Sequence, residues 1–257
     1  MRNLRIDSGR LWSSLMEMAK IGALPNGGCG RLALTDLDRE GRDLFVRWCE
    51  EAGCTVVVDS LGNIFARRAG RDPARKPVAT GSHLDTQPHG GKFDGVLGVL
   101  AGLEVIRTLN DTGVETEAPV EVCVWTNEEG CRFTPSMGSS GVFGGVHSPE
   151  EVLEVRDVDG KSFGEELARI GYAGAERCGD REFETFYELH IEQGPILEAA
   201  KAQVGVVTGV QGFRWYDVSV HGQDAHAGPT PMEVRRDAML AAARMVQLVV
   251  QAGRDRP

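Results

Sequence analysis

The chain has 257 residues and a formal net charge of -10, from 28 Lys and Arg against 38 Asp and Glu. This length suits one large α/β domain, or one domain and part of another. An acidic chain without a dense run of Lys or Arg is not expected to bind nucleic acid. No stretch approaches the roughly 20 apolar residues that cross a bilayer, and residues 1–24 lack a signal peptide's apolar middle. We therefore expect a cytoplasmic protein that does not bind membranes.

The predicted elements alternate between helices and strands. Asp7 or Ser8 caps a first helix that runs to about Ile21, and Thr35 with Asp38 opens a second one that ends near Gly53. A further helix is predicted over residues 95–109. The predicted strands cover residues 55–58, 63–67, 77–81, 119–126 and 186–190. Such alternation indicates an α/β fold with a mostly parallel sheet and helices on both faces.

The pattern changes from about residue 204. Residues 213–220 alternate like a half-exposed strand, a polar loop follows, and residues 232–251 form a long amphipathic pattern typical of a helix. We place the domain boundary near residues 207–212. Residues 1–208 are then expected to form the larger domain, and residues 209–257 the first strand and helix of a smaller α+β domain.

Two common catalytic motifs fail in this sequence. Phe93 follows Gly91-Lys92 where a phosphate-binding loop requires Ser or Thr. The G-x-S-x-G pattern of serine hydrolases fails because Val142 occupies the position of its last glycine. Neither nucleotide hydrolysis nor serine hydrolysis is expected.

Histidine and carboxylate residues follow the predicted strands. His83 and Asp85 come after the strand that ends at Gly81, and Asp94 precedes the next helix. Ligands of open α/β sheets bind beyond the carboxyl ends of the strands. A carboxylate that holds the second ring nitrogen of a histidine is typical of metal sites, so Asp85 is expected to orient His83. Taken alone, His83 could be an ordinary loop histidine and Asp94 a helix cap.

Glu128 and Glu129 close the next predicted strand. Adjacent carboxylates repel each other unless a cation or a proton compensates, so one is expected to bind a metal ion and the other to act as a general base on water. A solvated pair of loop glutamates is the alternative. His190 follows the last predicted strand, with Gln193 nearby. Together the candidate ligands predict a metal site, dinuclear if one carboxylate is shared: His83, Asp94, Glu129 and His190.

Four segments resemble the motifs of one enzyme family. They are GSHLDTQPHGGKFDGVLGVLAGLEV, WTNEEGCRFTPSMGSSG, ELHIEQGPILE and HAGPTPMEVRRDA, in that order along the chain. They are similar to motifs of the metal-dependent N-carbamoyl-L-amino-acid hydrolases and allantoate amidohydrolases, the hydantoinase/carbamoylase amidases, which are related to dinuclear zinc peptidases. The resemblance covers residues 11–251. It implies a homodimeric amidohydrolase that uses a metal-activated water to cleave a linear C–N bond of a small N-carbamoyl or ureido acid.

The resemblance also implies roles for individual residues. Glu128 would deprotonate the water, and Asp85 would orient His83. Gln193 would contact the substrate, and His226 would reach from a lid domain into the partner subunit's active site, bind substrate there and stabilise the oxyanion. Two divalent ions are implied, zinc or else manganese, cobalt or nickel. Their implied ligands are His83 and His190 for one ion, Asp94 as the bridge, and Glu129 for the second ion.

Family members continue well past the position of Pro257, and their later part carries a further histidine ligand. We therefore expect this chain to be the N-terminal portion of such an enzyme, with an incomplete second metal site and little activity alone. Two alternatives stay open. One is an aminoacylase or dipeptidase of the related peptidases, which His190 in place of a carboxylate disfavours. The other is a non-catalytic fragment that dimerises through the helix of residues 232–251.

Overall fold

A computed structural model describes residues 4–212, 214 and 216–256. The chain divides into two compact units, Met1–Ile196 and Leu197–Pro257. The boundary expected at residue 208 lies inside the second of these units. The roles expected for the two domains stay predictions.

Helices α1 (Ser8–Met18) and α2 (Asp36–Glu51) begin where the sequence predicts, because side-chain caps satisfy their first amides. Asp7 accepts a hydrogen bond from the Arg10 amide, and Thr35 accepts one from the Asp38 amide. Helix α3 spans Val96–Asp111. Three short helices were not predicted: α4 (Gly138–Phe143), α5 (Pro149–Glu154) and α6 (Phe163–Arg169). The last two begin at capping boxes of the form S-x-x-E, a signal visible in the sequence.

Five strands form one sheet in the order β1-β2-β4-β3-β5. They are β1 (Thr55–Val58), β2 (Ile64–Arg68), β3 (Val78–His83), β4 (Val120–Trp125) and β5 (Thr185–Tyr187). The α/β class is confirmed, but the sheet is mixed. Strand β3 pairs in parallel with β4 and β5, whereas β2 runs antiparallel to β1 and β4. The link between β1 and β2 is too short for a crossover, so these two strands can only form a hairpin.

The strand ends determine where chemistry can be assembled. His83 is the last residue of β3 and pairs with Trp125 at the end of β4, so both strands finish at one level. Strand β5 ends at Tyr187, earlier than predicted, so His190 lies three residues beyond it. The segments that follow the three parallel strands therefore lie at the same end of the sheet, beyond the carboxyl ends of these strands.

Both faces of the sheet are covered, as expected. On one face, Ile64 and Val124 belong to a large core with residues of α1, α2 and α3. On the other face, Phe65 and Trp125 pack with aromatic residues that include Phe143 of α4. Strand residues alternate between these two cores because successive side chains point to opposite faces.

The second unit contains one long helix, α8 (Ala238–Arg254), and α7 (Ile196–Ala199) is the short helix at which the chain enters this unit. Helix α8 starts later than predicted because Asp237 caps it, accepting from the Leu240 amide at 3.0 Å; Met232–Val234 form a 3-10 turn. In the strand predicted over residues 213–220, Phe213 and Trp215 lie outside the described residues, and the others form no strand. Among the residues described, no helix is long and apolar enough to cross a membrane.

Candidate metal centre

Three candidate ligands converge at the carboxyl edge of the parallel strands. His83, Asp94 and His190 each offer a ligand atom, and these atoms lie within 4.8 Å of one another. The Nε2 atoms of His190 and His83 are 3.2 Å and 3.9 Å from Asp94 Oδ1. The centroids of the two imidazole rings are 6.0 Å apart, and the ring planes make an angle of 29°. Two imidazoles and a carboxylate in this arrangement can hold one divalent ion.

Gly95 makes the close approach of Asp94 to His83 possible. Its φ of +66° lies in the region that favours glycine, and a Cβ atom there would come 2.4 Å from the His83 ring. His83 and Asp94 are buried. The His190 side chain is 32% exposed, so the site opens to solvent on that side.

Asp85 orients His83, but not through the atom that we expected. His83 Nδ1 lies 2.8 Å from the main-chain carbonyl oxygen of Asp85, whereas the nearest carboxylate oxygen is 3.9 Å away. A carbonyl can only accept, so Nδ1 carries the proton and Nε2 faces the site with its lone pair. The buried Asp85 carboxylate instead accepts from the main-chain amides of Glu128 and Glu129, at 3.3 Å and 3.2 Å. It is held there because amide donors compensate for burial of its charge.

Glu128 and Glu129 differ in their surroundings. Glu128 Oε2 lies 3.4 Å from His83 Nε2, on the open side of the site. Glu129 Oε2 accepts from Gln87 Nε2 at 2.5 Å, and its buried Oε1 has no hydrogen-bond partner. Gln87 was not among the residues predicted for the site, although its position in the loop after β3 was an available signal. A buried carboxylate oxygen without a partner is expected where a cation binds.

Charge in the site is unbalanced. Burial raises the pKa values of Asp85, Glu128 and Glu129. Burial alone would lower the pKa of His83, but the nearby carboxylates of Asp85 and Glu128 outweigh it, so the pKa is raised. The site thus contains several carboxylates and little positive charge. A divalent cation would compensate the repulsion between these carboxylates. The donor set and the charge both fit a metal ion.

Two predicted residues remain, Gln193 and His226, and they belong to different units of the chain. Gln193 donates from Nε2 to Asp94 Oδ2 at 2.6 Å, so it contacts a candidate ligand directly. His226 belongs to the second unit, where its Nδ1 accepts from the Gly228 amide at 3.0 Å. Its role at an active site stays a prediction.

The chain is similar to known hydrolases in sequence and in fold. A profile described as peptidase family M20/M25/M40 matches residues 79–255. The chain is 56% identical to an N-carbamoyl-L-amino-acid amidohydrolase from Rhizobium meliloti, a match covering 96% of this chain and 59% of the relative. It is 36% identical to a ureidoglycolate hydrolase from Arabidopsis thaliana, covering 96% and 54% of the two chains. A crystal structure of an amidase of the hydantoinase/carbamoylase family from Burkholderia multivorans aligns with a TM-score of 0.89 and 62% identity, over 100% of this chain and 62% of that one.

The chain spans about 60% of the length of the first curated relatives it matches. The profile match includes every candidate ligand and covers well over half of the chain. The family resemblance predicted from the four sequence motifs is therefore confirmed. The chain belongs to peptidase family M20/M25/M40.

Proposed function

We propose that this protein is an amidohydrolase that cleaves a linear C–N bond of an N-carbamoyl amino acid or a ureido acid. The observation that carries the proposal is the convergence of His83, Asp94 and His190 beside the carboxylate of Glu128. The names of the relatives, an N-carbamoyl-L-amino-acid amidohydrolase and a ureidoglycolate hydrolase, support the substrate class.

We assign the metal ligands from the positions of the nitrogen and oxygen atoms that could bind an ion. His83, His190 and Asp94 would hold one ion, since the Nε2 atoms of both histidines lie near Asp94 Oδ1. Glu129 offers its unpartnered Oε1 to a second ion. Zinc, manganese, cobalt and nickel all suit imidazole and carboxylate donors. When bound, such ions lower the pKa of water and polarise a carbonyl oxygen.

Glu128 is the group that moves protons in this proposal. Its Oε2 faces the site, and its main-chain amide is anchored by the Asp85 carboxylate. Glu128 accepts a proton from the attacking water as the oxygen bonds to the carbamoyl carbon. It then donates that proton to the leaving nitrogen as the C–N bond breaks. Each proton taken up is returned, so the carboxylate is regenerated.

Three further roles belong to the proposal and rest on the family resemblance. His226 would stabilise the oxyanion of the reacting substrate, and the smaller domain would form the interface of a homodimer. Gln193 would bind the substrate. The relatives' longer chains include segments beyond this one, so a full-length relative is needed as a reference for activity.

Turnover and metal content test the proposal together. With added Mn²⁺ or Zn²⁺, we expect a full-length relative to hydrolyse an N-carbamoyl-L-amino acid or ureidoglycolate, and this chain alone to show little of that activity. Elemental analysis should show about one ion per chain or more, falling sharply in His190→Ala. His147→Ala, a histidine outside the cluster, is the matched control and should keep the ion.

Equal metal content in His190→Ala and His147→Ala would remove His190 from the site. Preferred turnover of an N-acyl amino acid or a dipeptide would place the protein with the aminoacylases and dipeptidases instead. Full metal content without turnover of any of these substrates, in both this chain and the full-length relative, would favour a non-catalytic role.

A further inference from the structure

Both carboxylate oxygens of Asp94 are already engaged. Oδ1 lies 3.2 Å from His190 Nε2, on the side of the two histidines. Oδ2 accepts a hydrogen bond of 2.6 Å from the Gln193 side-chain amide. When a carboxylate bridges two ions with one oxygen for each, the second ion binds the oxygen that here accepts from Gln193, so the Gln193 amide competes with that ion for the electron pairs of Oδ2.

Glu129 is in the opposite condition. One of its oxygens is held by Gln87, but the other is buried without a partner. A second ion that binds both Glu129 and Asp94 would meet a glutamate oxygen without a partner and an aspartate oxygen that already accepts a hydrogen bond. Gln193 is therefore the side chain that competes with such an ion.

The backbone holds Gln193 in this position. Its φ is +55°, in the left-handed region that a residue with a Cβ atom adopts only at a cost. The segment before it is tied to β3, because Ser82 Oγ donates to Glu188 Oε1 at 2.6 Å. Non-glycine residues in this conformation are concentrated at functional sites, where the surrounding structure maintains them.

We propose that Gln193 is a positioning residue that holds the Asp94 carboxylate through this hydrogen bond, which we call the latch. Its amide keeps Asp94 as a one-oxygen ligand of the ion held by His83 and His190, and it opposes binding of a second ion. This inference rests on the proposed function, since it assumes that the cluster binds divalent ions. The substrate contact predicted for Gln193 would require the same release of its amide from Asp94.

Calorimetric titration of the metal-free chain with Mn²⁺ tests the latch without measuring activity. Gln193→Gly removes the amide and is unstrained at positive φ. We expect its second ion to bind at least about fivefold tighter than in the wild-type chain, because no hydrogen bond to a charged oxygen has to be broken. The first ion should bind to Gln193→Gly as tightly as to the wild-type chain, or more weakly. Gln193→Asn keeps an amide that is one methylene shorter and tolerates positive φ, so it should resemble Gln193→Gly.

Lys201→Gly is the matched control, because Lys201 is another non-glycine residue with positive φ, at +53°, and lies in the second unit. It should leave both binding constants unchanged. A second ion that binds Gln193→Gly no tighter than wild type, or binds neither protein, would overturn the latch. So would Gln193→Asn behaving like wild type. If none of these proteins binds even a first ion, the proposed function is contradicted as well. If the binding constants are as expected but a full-length relative shows no turnover, only the proposed function is contradicted.

Discussion

The His83 ring is oriented by the main-chain carbonyl of Asp85, at 2.8 Å, and not by the carboxylate of that residue. The carboxylate is directed to the amides of the two glutamates that follow β4. Asp85 thus connects the end of one parallel strand to the loop after its neighbour. Its main-chain carbonyl contacts a proposed metal ligand, while its side chain accepts hydrogen bonds from the loop that carries the proposed base.

This division of roles predicts the effect of Asp85→Asn. The carbonyl that orients His83 is retained, so binding of the first ion should change by less than about threefold, well below the 10- to 100-fold cost of losing an outer partner of a ligand. An amide side chain has one acceptor oxygen instead of two and anchors the glutamate loop less well. In a full-length relative, kcat should fall by about tenfold or more. Metal binding is measured by titration and kcat by steady-state kinetics.

His83→Ala is the reference for loss of the ion. If Asp85→Asn loses metal to the same degree as His83→Ala, the carboxylate acts on the ligand after all.

Substitutions of the adjacent residues Glu128 and Glu129 should have different effects, one on catalysis and the other on metal binding. In a full-length relative, Glu128→Gln should keep its metal content while kcat drops by about 10²-fold or more, the usual scale for removing a general base. Glu129→Gln replaces an oxygen proposed to bind the second ion and should lower the occupancy of that ion. Loss of metal in Glu128→Gln with normal content in Glu129→Gln would show that the two roles are reversed.

Gly95→Ala should disrupt the fold and the site together. The added methyl group would lie 2.4 Å from the His83 ring, on a backbone with φ of +66°. Strain and crowding of this kind cost about 1–3 kcal/mol each, so the free energy of unfolding should fall by about that amount or more. Denaturant titration measures the stability, and elemental analysis measures the ion.

Gly91→Ala provides the control, because a Cβ atom at Gly91 meets nothing within 4 Å and its φ is not positive. Its stability should match that of the wild type. Equal stability of both variants would show that Gly95 is not required for the approach of Asp94 to His83.

A buried ion cluster away from the site predicts how stability depends on pH. The Arg132 guanidinium lies 3.0 Å from Asp157 and 2.6 Å from Glu166. Burial alone would raise the pKa of each carboxyl group, but hydrogen bonds and this guanidinium lower both below their ordinary values of 3.8 and 4.5. The unfolded state therefore binds protons first as the pH falls. The stabilisation is complete above about pH 5 and is lost on acidification through the folded pKa values.

Arg132→Leu should remove part of that dependence. Its free energy of unfolding at neutral pH should fall by about 1–3 kcal/mol, and its stability should decline less steeply below pH 5 than that of the wild type. Arg177→Leu removes an exposed pair with Asp180 and should have little effect on either quantity. Parallel stability curves for Arg132→Leu and the wild type between pH 3 and 6 would contradict the prediction.

The sequence alone determined the class of the fold and the position of the candidate site. Helix starts at Ser8 and Asp36 follow from local caps, and the strands follow from short apolar runs. His83, Asp94 and the glutamate pair could be expected near one another because each comes after a strand, and ligands of α/β sheets bind beyond strand ends. These are properties of neighbouring residues, which a sequence displays directly.

Only the tertiary structure decided the strand order, the mixed pairing and the partners of individual atoms. Gln87 and Glu129 are 42 residues apart, and Gln193 and Asp94 are 99 residues apart. Which oxygen of a carboxylate is held, and which is left for an ion, depends on side-chain rotamers selected by packing between distant segments. The spacing of residues along the chain does not indicate which rotamer is selected. For the same reason the sequence indicated that Asp85 would orient His83, while the fold determined that its carbonyl does so.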